Sequence, residues 1–298
     1  MVKFFQHFLR LQNFIDGNGP SSNSSCPSSP AKWCVNDYDG SSFCIENPSI
    51  LPTCMLALLI GLYCSKRIYQ LPGKFPVRYY YQLTFFLYGI MMTSAGILHC
   101  FLDDKQKLST LLQSTNDSSM DFIQLIVTII DVGLTTSIAV SFLFCGLCDI
   151  RLLNPQSTVT RCLLFISYFI VFLLWTLGLI NQWEWTFSVL YLDVIAVCCF
   201  IYLITQLCLK SSRHALPALF VGGMYGAIGL LATSFGAEHI CASEGPFWSQ
   251  YFGPEFIWFL FSDMSMAFLF IYVIRSHQGK KSTIKSYPID IEKLPEKF

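Results

Sequence analysis

The sequence predicts an all-α, polytopic membrane protein: a seven-transmembrane helix bundle with a lumenal N-terminal segment. Seven apolar stretches hold almost all of the hydrophobic residues of the 298-residue chain. Because 53% of all residues are hydrophobic and only 13% are charged, the chain has more apolar surface than a soluble core can bury. Backbone groups in lipid must be paired within their own segment, so each stretch is expected to form a helix.

The predicted spans divide the chain into three regions. A spanning helix needs about 20 mostly apolar residues, and the first stretch is short by that measure. The spans are predicted at 50–65, 79–102, 122–147, 162–180, 186–209, 215–236 and 256–274. A lumenal leader with a flexible linker therefore occupies 1–48, the helix domain occupies 49–275, and the tail over 276–298 is expected to be disordered and cytosolic.

The positions of Lys and Arg predict the orientation of the bundle. Of these 19 residues, 14 lie in the loops after spans one, three and five or in the tail, and 5 lie on the opposite side. The positive-inside rule then places the N-terminus outside and the C-terminus in the cytosol. Both glycosylation sequons, at Asn23 and Asn116, fall on the outer side. With a net charge of zero, no basic surface suggests binding to nucleic acid.

Ionisable residues inside the predicted spans are candidates for function, because each is costly in lipid unless it is paired or hydrated. They are His99, Asp131, Asp193, Glu255 and Asp263, and His239 follows just beyond span six. The span directions place His99, His239 and Glu255 at similar depth near the outer face. Imidazoles and carboxylates at one level are ligands for Zn²⁺. The alternative is that these residues only contact water at the interface and do not converge.

Short motifs at both ends of the chain resemble the alkaline ceramidases. In the leader, Trp33-Cys34-Val35-Asn36-Asp37-Tyr38, with Glu46 after it, resembles the family's Asp-Trp-Cys-Glu-Glu-Asn-Tyr and its following glutamate. At the end of span six, Glu238-His239-Ile240-Cys241 resembles Asp-x-Ile-Phe-Cys. The start of span seven, Glu255-Phe256-Ile257-Trp258-Phe259, aligns with His-x-x-Trp-His.

The middle of the chain extends this resemblance. His99 at the end of span two, followed by Asp131 in span three, is similar to the family's Ser-x-x-x-His and downstream Asp. The resemblance covers residues 33 to 275 and is carried by scattered short motifs. It also fits the wider superfamily of seven-span membrane hydrolases that includes progestin-receptor-like and myomaker-like proteins.

The resemblance implies a site and its chemistry. In the family, three histidines hold a catalytic zinc, and the metal activates a water that attacks the amide of ceramide. A Ser and an Asp assist, and the leader builds a calcium site on the outer face. By position, His99 would be a zinc ligand and Asp131 the catalytic acid, while Ser94 lies one residue from the expected serine position, Ala95. Asp37 and Glu46 would remain as calcium ligands.

Several positions depart from the family pattern. The two zinc-ligand positions of span seven are Glu255 and Phe259, and phenylalanine cannot bind a metal. A rearranged zinc site would therefore use His99, His239 and Glu255. In the leader, Lys32 and Val35 replace two acidic calcium ligands.

The resemblance also implies a covalent link between the leader and the outer loops. The family has a disulfide between its leader and the loop after span six, which would join Cys34 to Cys241 and leave Cys26 and Cys44 as a second pair. All four cysteines lie on the predicted outer side, in the oxidising compartment.

Two functions from different classes follow. We favour a protein that keeps the bundle, binds or acts on ceramide-type membrane lipids, and has lost or altered catalysis. The alternative is an active, metal-dependent lipid amidase of sphingolipid metabolism with a rearranged zinc site. A receptor or transporter is compatible with seven spans but has no motif behind it. The expected location is the endoplasmic reticulum, the Golgi or a related endomembrane, or the plasma membrane.

Two expectations concern packing. Span six carries a stripe of small residues at Gly222, Gly223, Gly226 and Gly229, which lets helices approach closely and favours packing inside the bundle over dimerisation. His277, beyond the end of span seven, is expected to be solvated.

Overall fold

The computed structural model describes residues 32–36, 42–72, 75–102, 118–181, 183, 185–232 and 252–285. In chain order the elements are β1 (Lys32–Asn36), β2 (Ser42–Glu46), α1 (Ile50–Tyr69), α2 (Arg78–Ile97), α3 (Ser118–Asp149), α4 (Thr158–Ile180), α5 (Val194–Cys208), α6 (Leu216–Leu231) and α7 (Pro254–Lys285). A π-helical turn at Leu98–Leu102 continues α2, a second at Phe187–Asp193 precedes α5, and a 3₁₀ turn at Lys210–Ala215 precedes α6.

Six helices of the described chain are long and apolar enough to cross a bilayer, as expected of an integral membrane protein. They are Ile50–Tyr69, Arg78–Phe101, Ile123–Asp149, Thr158–Ile180, Val189–Cys208 and Glu255–His277. The first of them has 20 residues and continues past the predicted end at 65. For the predicted sixth span, 215–236, the structure has the 16-residue helix Leu216–Leu231, and residues 233–251 lie outside the described part of the chain.

The start of one helix has a local cause, and the end of another is fixed by a long-range contact. At the start of α4, the side chain of Ser157 accepts a hydrogen bond from the backbone N–H of Val159 at 3.2 Å, which satisfies one of the free donors of the first turn. At the other end of the chain, α7 continues to Lys285 rather than ending at the boundary drawn at 275. The ring nitrogen of His277 lies 3.0 Å from the carbonyl oxygen of Pro72, between α1 and α2. His277 is buried rather than solvated, so that expectation is wrong.

Glycines allow the helices to approach closely. A Cβ atom on Gly61 of α1 would lie 2.7 Å from the carbonyl oxygen of Phe85 on α2. In α6, a Cβ on Gly222, Gly226 or Gly229 would contact atoms of α7, whereas one on Gly223 would meet nothing within 4 Å. The expectation of internal packing is therefore confirmed for three positions of the stripe. Further helix contacts join α3 to α2, α4 and α5, and α7 to α1.

The leader contains a short β-hairpin that the sequence did not predict. β1 and β2 pair antiparallel, with Cys34 directly opposite Cys44. β2 contacts the π-helical turn at the end of α2. Asn47, which adopts a positive φ of 47° that asparagine tolerates, donates from its side-chain amide to the carbonyl oxygen of His99 at 3.4 Å. The leader is thus attached to the segment that carries His99.

Candidate functional site

His99 lies in the π-helical turn that ends α2 and is half-buried. Single π-helical turns leave the regular hydrogen-bond ladder and are frequent at functional sites. The ring of Phe259, from α7, packs against the His99 ring with the centroids 5.6 Å apart and the planes at 69°. Phe259 is only 5% exposed. The residue at a predicted zinc-ligand position therefore does lie beside His99, but as a hydrophobic neighbour.

The structure brings together three residues that the sequence selected. The carboxyl group of Asp131, in α3, is within hydrogen-bonding reach of the Ser94 hydroxyl and within electrostatic range of His99. The single proton of the Ser94 hydroxyl is donated to the carbonyl oxygen of Met91 at 2.7 Å, which orients the side chain. Ser94 reaches Asp131 across the α2–α3 interface. A serine is therefore present near Asp131 even though alanine, Ala95, occupies the serine position of the resembled family.

Glu255 lies at the same end of the bundle as His99. It is in the first turn of α7 and within electrostatic range of Cys100, the residue after His99. The sulfur of Cys100 in turn lies 3.8 Å from the carbonyl oxygen of Asn47. Glu255 and His99 therefore lie toward the same end of the bundle, while their common depth with His239 near the outer face stays a prediction.

Other predicted ligands lie outside what the structure describes. His239 and Asp37 belong to the undescribed residues, and for Glu46 only the backbone is described. Among the described residues, no group of three His, Cys, Asp or Glu side chains could hold a metal ion. With Phe259 beside His99, the described residues alone do not fit a three-ligand zinc site, and a calcium site in the leader stays a prediction.

A buried carboxyl group deeper in the bundle has a partner that the sequence did not reveal. Asp263 of α7 is 1% exposed, and its Oδ1 atom accepts a hydrogen bond of 2.6 Å from the hydroxyl of Tyr88 in α2. The Oδ2 atom is buried and has no hydrogen-bond partner among the described residues. Cys54 of α1 lies within electrostatic range of both Asp263 and Asp131, so the two acids belong to one region, whereas the side chain of Asp193 is exposed.

We call this region the interior polar cluster, and it consists of Tyr88, Ser94, His99, Asp131 and Asp263. It joins α2, α3 and α7 within the spans. Its signal in the sequence was the intramembrane ionisable residues. The tyrosine gave no signal, because a hydroxyl on a neighbouring helix can be found only after the helices are packed.

A second polar network lies at the opposite end of the bundle. Tyr81 donates to Asp149 at 2.8 Å, Gln206 donates to the same carboxylate oxygen at 3.3 Å, and Tyr272 donates to Gln206 at 2.6 Å. These four residues line a small pocket together with Phe75, Leu209, Val273, Ser276 and His277. Because the polar groups of the network bond to one another across α2, α3, α5 and α7, the network holds this end of the bundle together.

Comparison with known proteins leaves the site to be judged by its own geometry: no family model matches the chain, and neither a curated protein nor a solved structure matches it.

Proposed function

We propose that this integral membrane protein binds a ceramide-type lipid at the interior polar cluster and that its ancestral hydrolytic site is lost or altered. The proposal adopts the resemblance to the alkaline ceramidases, including a lumenal N-terminus and an endomembrane location. The observation that carries it is the contact between Phe259 and His99, with ring centroids 5.6 Å apart. That contact occurs between the positions where the resembled family has two zinc-binding histidines.

A polar cluster inside a lipid-facing bundle supports the choice of ligand. Leu98, His99, Asp131 and Glu255 are each half-buried, so the cluster is not sealed at the His99 end. The amide of such a lipid can form hydrogen bonds with Ser94 and Asp131, and its hydrocarbon chains can pack on the apolar faces of the helices. Buried polar side chains fix the orientation of a ligand in a mostly apolar site.

The test uses purified full-length protein in lipid nanodiscs and a fluorescent short-chain ceramide. We expect saturable binding, with no free sphingoid base detected by mass spectrometry during prolonged incubation. His99→Ala should weaken binding, because it removes a ring that packs in the cluster. His214→Ala is the matched control, since His214 is exposed and its ring nitrogen lies 2.9 Å from the carbonyl oxygen of Arg275, near the far end of α7. Absence of saturable binding to the wild-type protein would refute the proposal.

The second candidate is hydrolysis of the ceramide amide, and the proximity of Asp131 to Ser94 and His99 favours it. A carboxylate beside a hydroxyl and an imidazole is an arrangement suited to proton transfer. Zinc, if bound through His99, Glu255 and the undescribed His239, would supply the activated water. The same incubation decides between the candidates: release of sphingoid base by the wild type that is lost in both His99→Ala and Asp131→Asn would establish hydrolysis.

A further inference from the structure

The strongest unexplained feature of the bundle is the second carboxyl oxygen of Asp263. Tyr88 donates to Oδ1, while Oδ2 is buried without a hydrogen-bond partner in the part of the chain that the structure describes. From its position two turns after Glu255, Asp263 lies about 12 Å along the helix axis from that residue, inside the apolar part of the span. A buried polar group without a partner costs free energy of folding, and at this depth it indicates a functional group.

We propose that Oδ2 of Asp263 binds the hydroxyl group of an uncharged lipid in the interior polar cluster. The inference rests on the proposed function and specifies which ligand group is recognised and by which residue. Asp263 follows Phe259 by one helical turn, so both residues lie on the face of α7 that reaches His99. Cys54 lies within electrostatic range of both Asp131 and Asp263, so the two acids occupy the same region of the bundle.

The chemistry of Oδ2 selects a hydroxyl. If Asp263 is ionised, Oδ2 needs a donor, and if it is protonated on Oδ2, the O–H needs an acceptor. A hydroxyl can donate and accept, so it satisfies either form of the acid. An ammonium group can only donate and so matches only the ionised acid, and an ionised carboxylate or phosphate oxygen can only accept and so matches only the protonated one.

The surrounding charges select an uncharged headgroup. Asp131, Glu255 and Asp263 contribute three acidic groups at this side of the bundle. Within the six candidate spans, the Lys and Arg residues lie at the opposite end: Lys66, Arg67, Arg78, Arg161 and Arg275. Arg161 lies over the ring of Tyr79 there. A phosphate would therefore meet three acidic groups without a Lys or Arg from these spans, with the imidazole of His99 as the basic group of the cluster. This balance of charge disfavours phospholipids and phosphorylated sphingolipids.

The test compares ligands rather than absolute affinities, so that a general loss of binding does not mimic the result. The first probe is N-octanoyl sphingosine. The second is an N-alkyl octanamide, which keeps the chains and the amide but lacks both hydroxyls, and the third is ceramide 1-phosphate. Each competes with the fluorescent ceramide on full-length protein in nanodiscs. We expect the wild type to prefer the ceramide to the hydroxyl-free amide by about tenfold or more, the range of one hydrogen bond to a charged group.

Variants then assign the preference to Asp263. In Asp263→Leu the ratio should fall to near unity. Asp263→Leu leaves the Tyr88 hydroxyl without its acceptor, which can impair folding. The double variant Tyr88→Phe with Asp263→Leu removes that hydroxyl and should give the same ratio. Asp193→Leu is the matched control: it removes an acid from a span at an exposed position and should keep the wild-type ratio.

Each outcome has a distinct meaning. A hydroxyl preference retained in both Asp263 variants would overturn this inference and leave the proposed function intact. Tighter binding of ceramide 1-phosphate than of ceramide would overturn the assignment to an uncharged lipid. A wild-type protein that binds neither ceramide nor the amide would refute the proposed function and this inference with it.

Discussion

Phe259 contacts His99 edge-on, with ring centroids 5.6 Å apart. The two residues are far apart in the sequence, and their contact brings α7 to the π-helical turn of α2. A residue substituted at position 259 would therefore face the imidazole directly. Glu255 lies four residues earlier on the same face of α7.

Restoring histidines at these positions should create a zinc site. We expect Glu255→His with Phe259→His to bind about one zinc per chain, because three imidazoles can then converge with an open fourth position. Metal content of the purified protein, measured by mass spectrometry, gives the result. Phe259→His alone should lower thermal stability, since it places a polar ring where a buried phenyl packed.

A matched control tests whether geometry is the cause. Phe261 lies two residues further along α7 and contacts Tyr225, with ring centroids 5.5 Å apart. Glu255→His with Phe261→His adds the same residues away from His99. Equal zinc content in this control and in the restored variant would show that His99 is not part of the bound site.

The spans could be predicted from the sequence because hydrophobicity is a local property. The ends of the spans could not be predicted where contacts between distant parts of the chain determine them. α7 continues past 275 because His277 is buried against Pro72 and lies 5.0 Å from the ring of Phe75. The sequence near His277 is polar and indicates a solvated tail, and nothing local reveals the loop that covers it.

The residues of the candidate site, too, could be predicted from the sequence only in part. His99 and Asp131 were selected because ionisable side chains are rare in spans, and Ser94 because it lies one residue from the serine position of the resembled family. Tyr88 was missed, since tyrosine is ordinary in a membrane helix and its meaning depends on Asp263 across the interface. The hairpin was missed because its strands are five residues each and two strands alone carry a weak pattern.

Packing of α1 on α2 should depend on Gly61. A Cβ there would lie 2.7 Å from the carbonyl oxygen of Phe85 and 2.8 Å from the Cα of Gly89. Both contacts are with backbone, so the helices must separate, and overpacking of this kind costs about 1–3 kcal/mol. Gly61→Ala should lower the midpoint of thermal unfolding in detergent.

Gly223→Ala is the control for that experiment. A Cβ at Gly223 meets nothing within 4 Å, and alanine favours a helix more than glycine does. Its unfolding midpoint should equal or exceed that of the wild type. Similar losses in both variants would mean that loss of glycine as such, rather than the α1–α2 contact, destabilises the bundle.

Orientation can be tested at Asn116, in the loop between the second and third predicted spans. We expect glycosylation at this sequon in cells, visible as a shift in gel mobility that peptide N-glycosidase removes. Asn23→Gln should remove part of the shift in gel mobility. Adding Asn116→Gln to that variant should remove the rest. A Lys-rich tail that is protected from protease in sealed microsomes would contradict the predicted orientation, because the tail should face the cytosol.

Cys34 should pair with Cys44 rather than with Cys241. The two residues are directly opposite in the hairpin register. Opposite residues of an antiparallel pair have Cα atoms about 4.5 or 5.5 Å apart, and a disulfide spans Cα separations of about 4.4–6.8 Å. Oxidation removes two protons and two electrons from the thiols, which disulfides of the secretory pathway's oxidoreductases can accept. The bond would join β1 to β2, the strand that contacts the His99 turn. Peptide mapping without reductant should therefore recover a Cys34–Cys44 peptide, unchanged in Cys241→Ser. A Cys34–Cys241 peptide would instead support the pairing implied by the ceramidase resemblance.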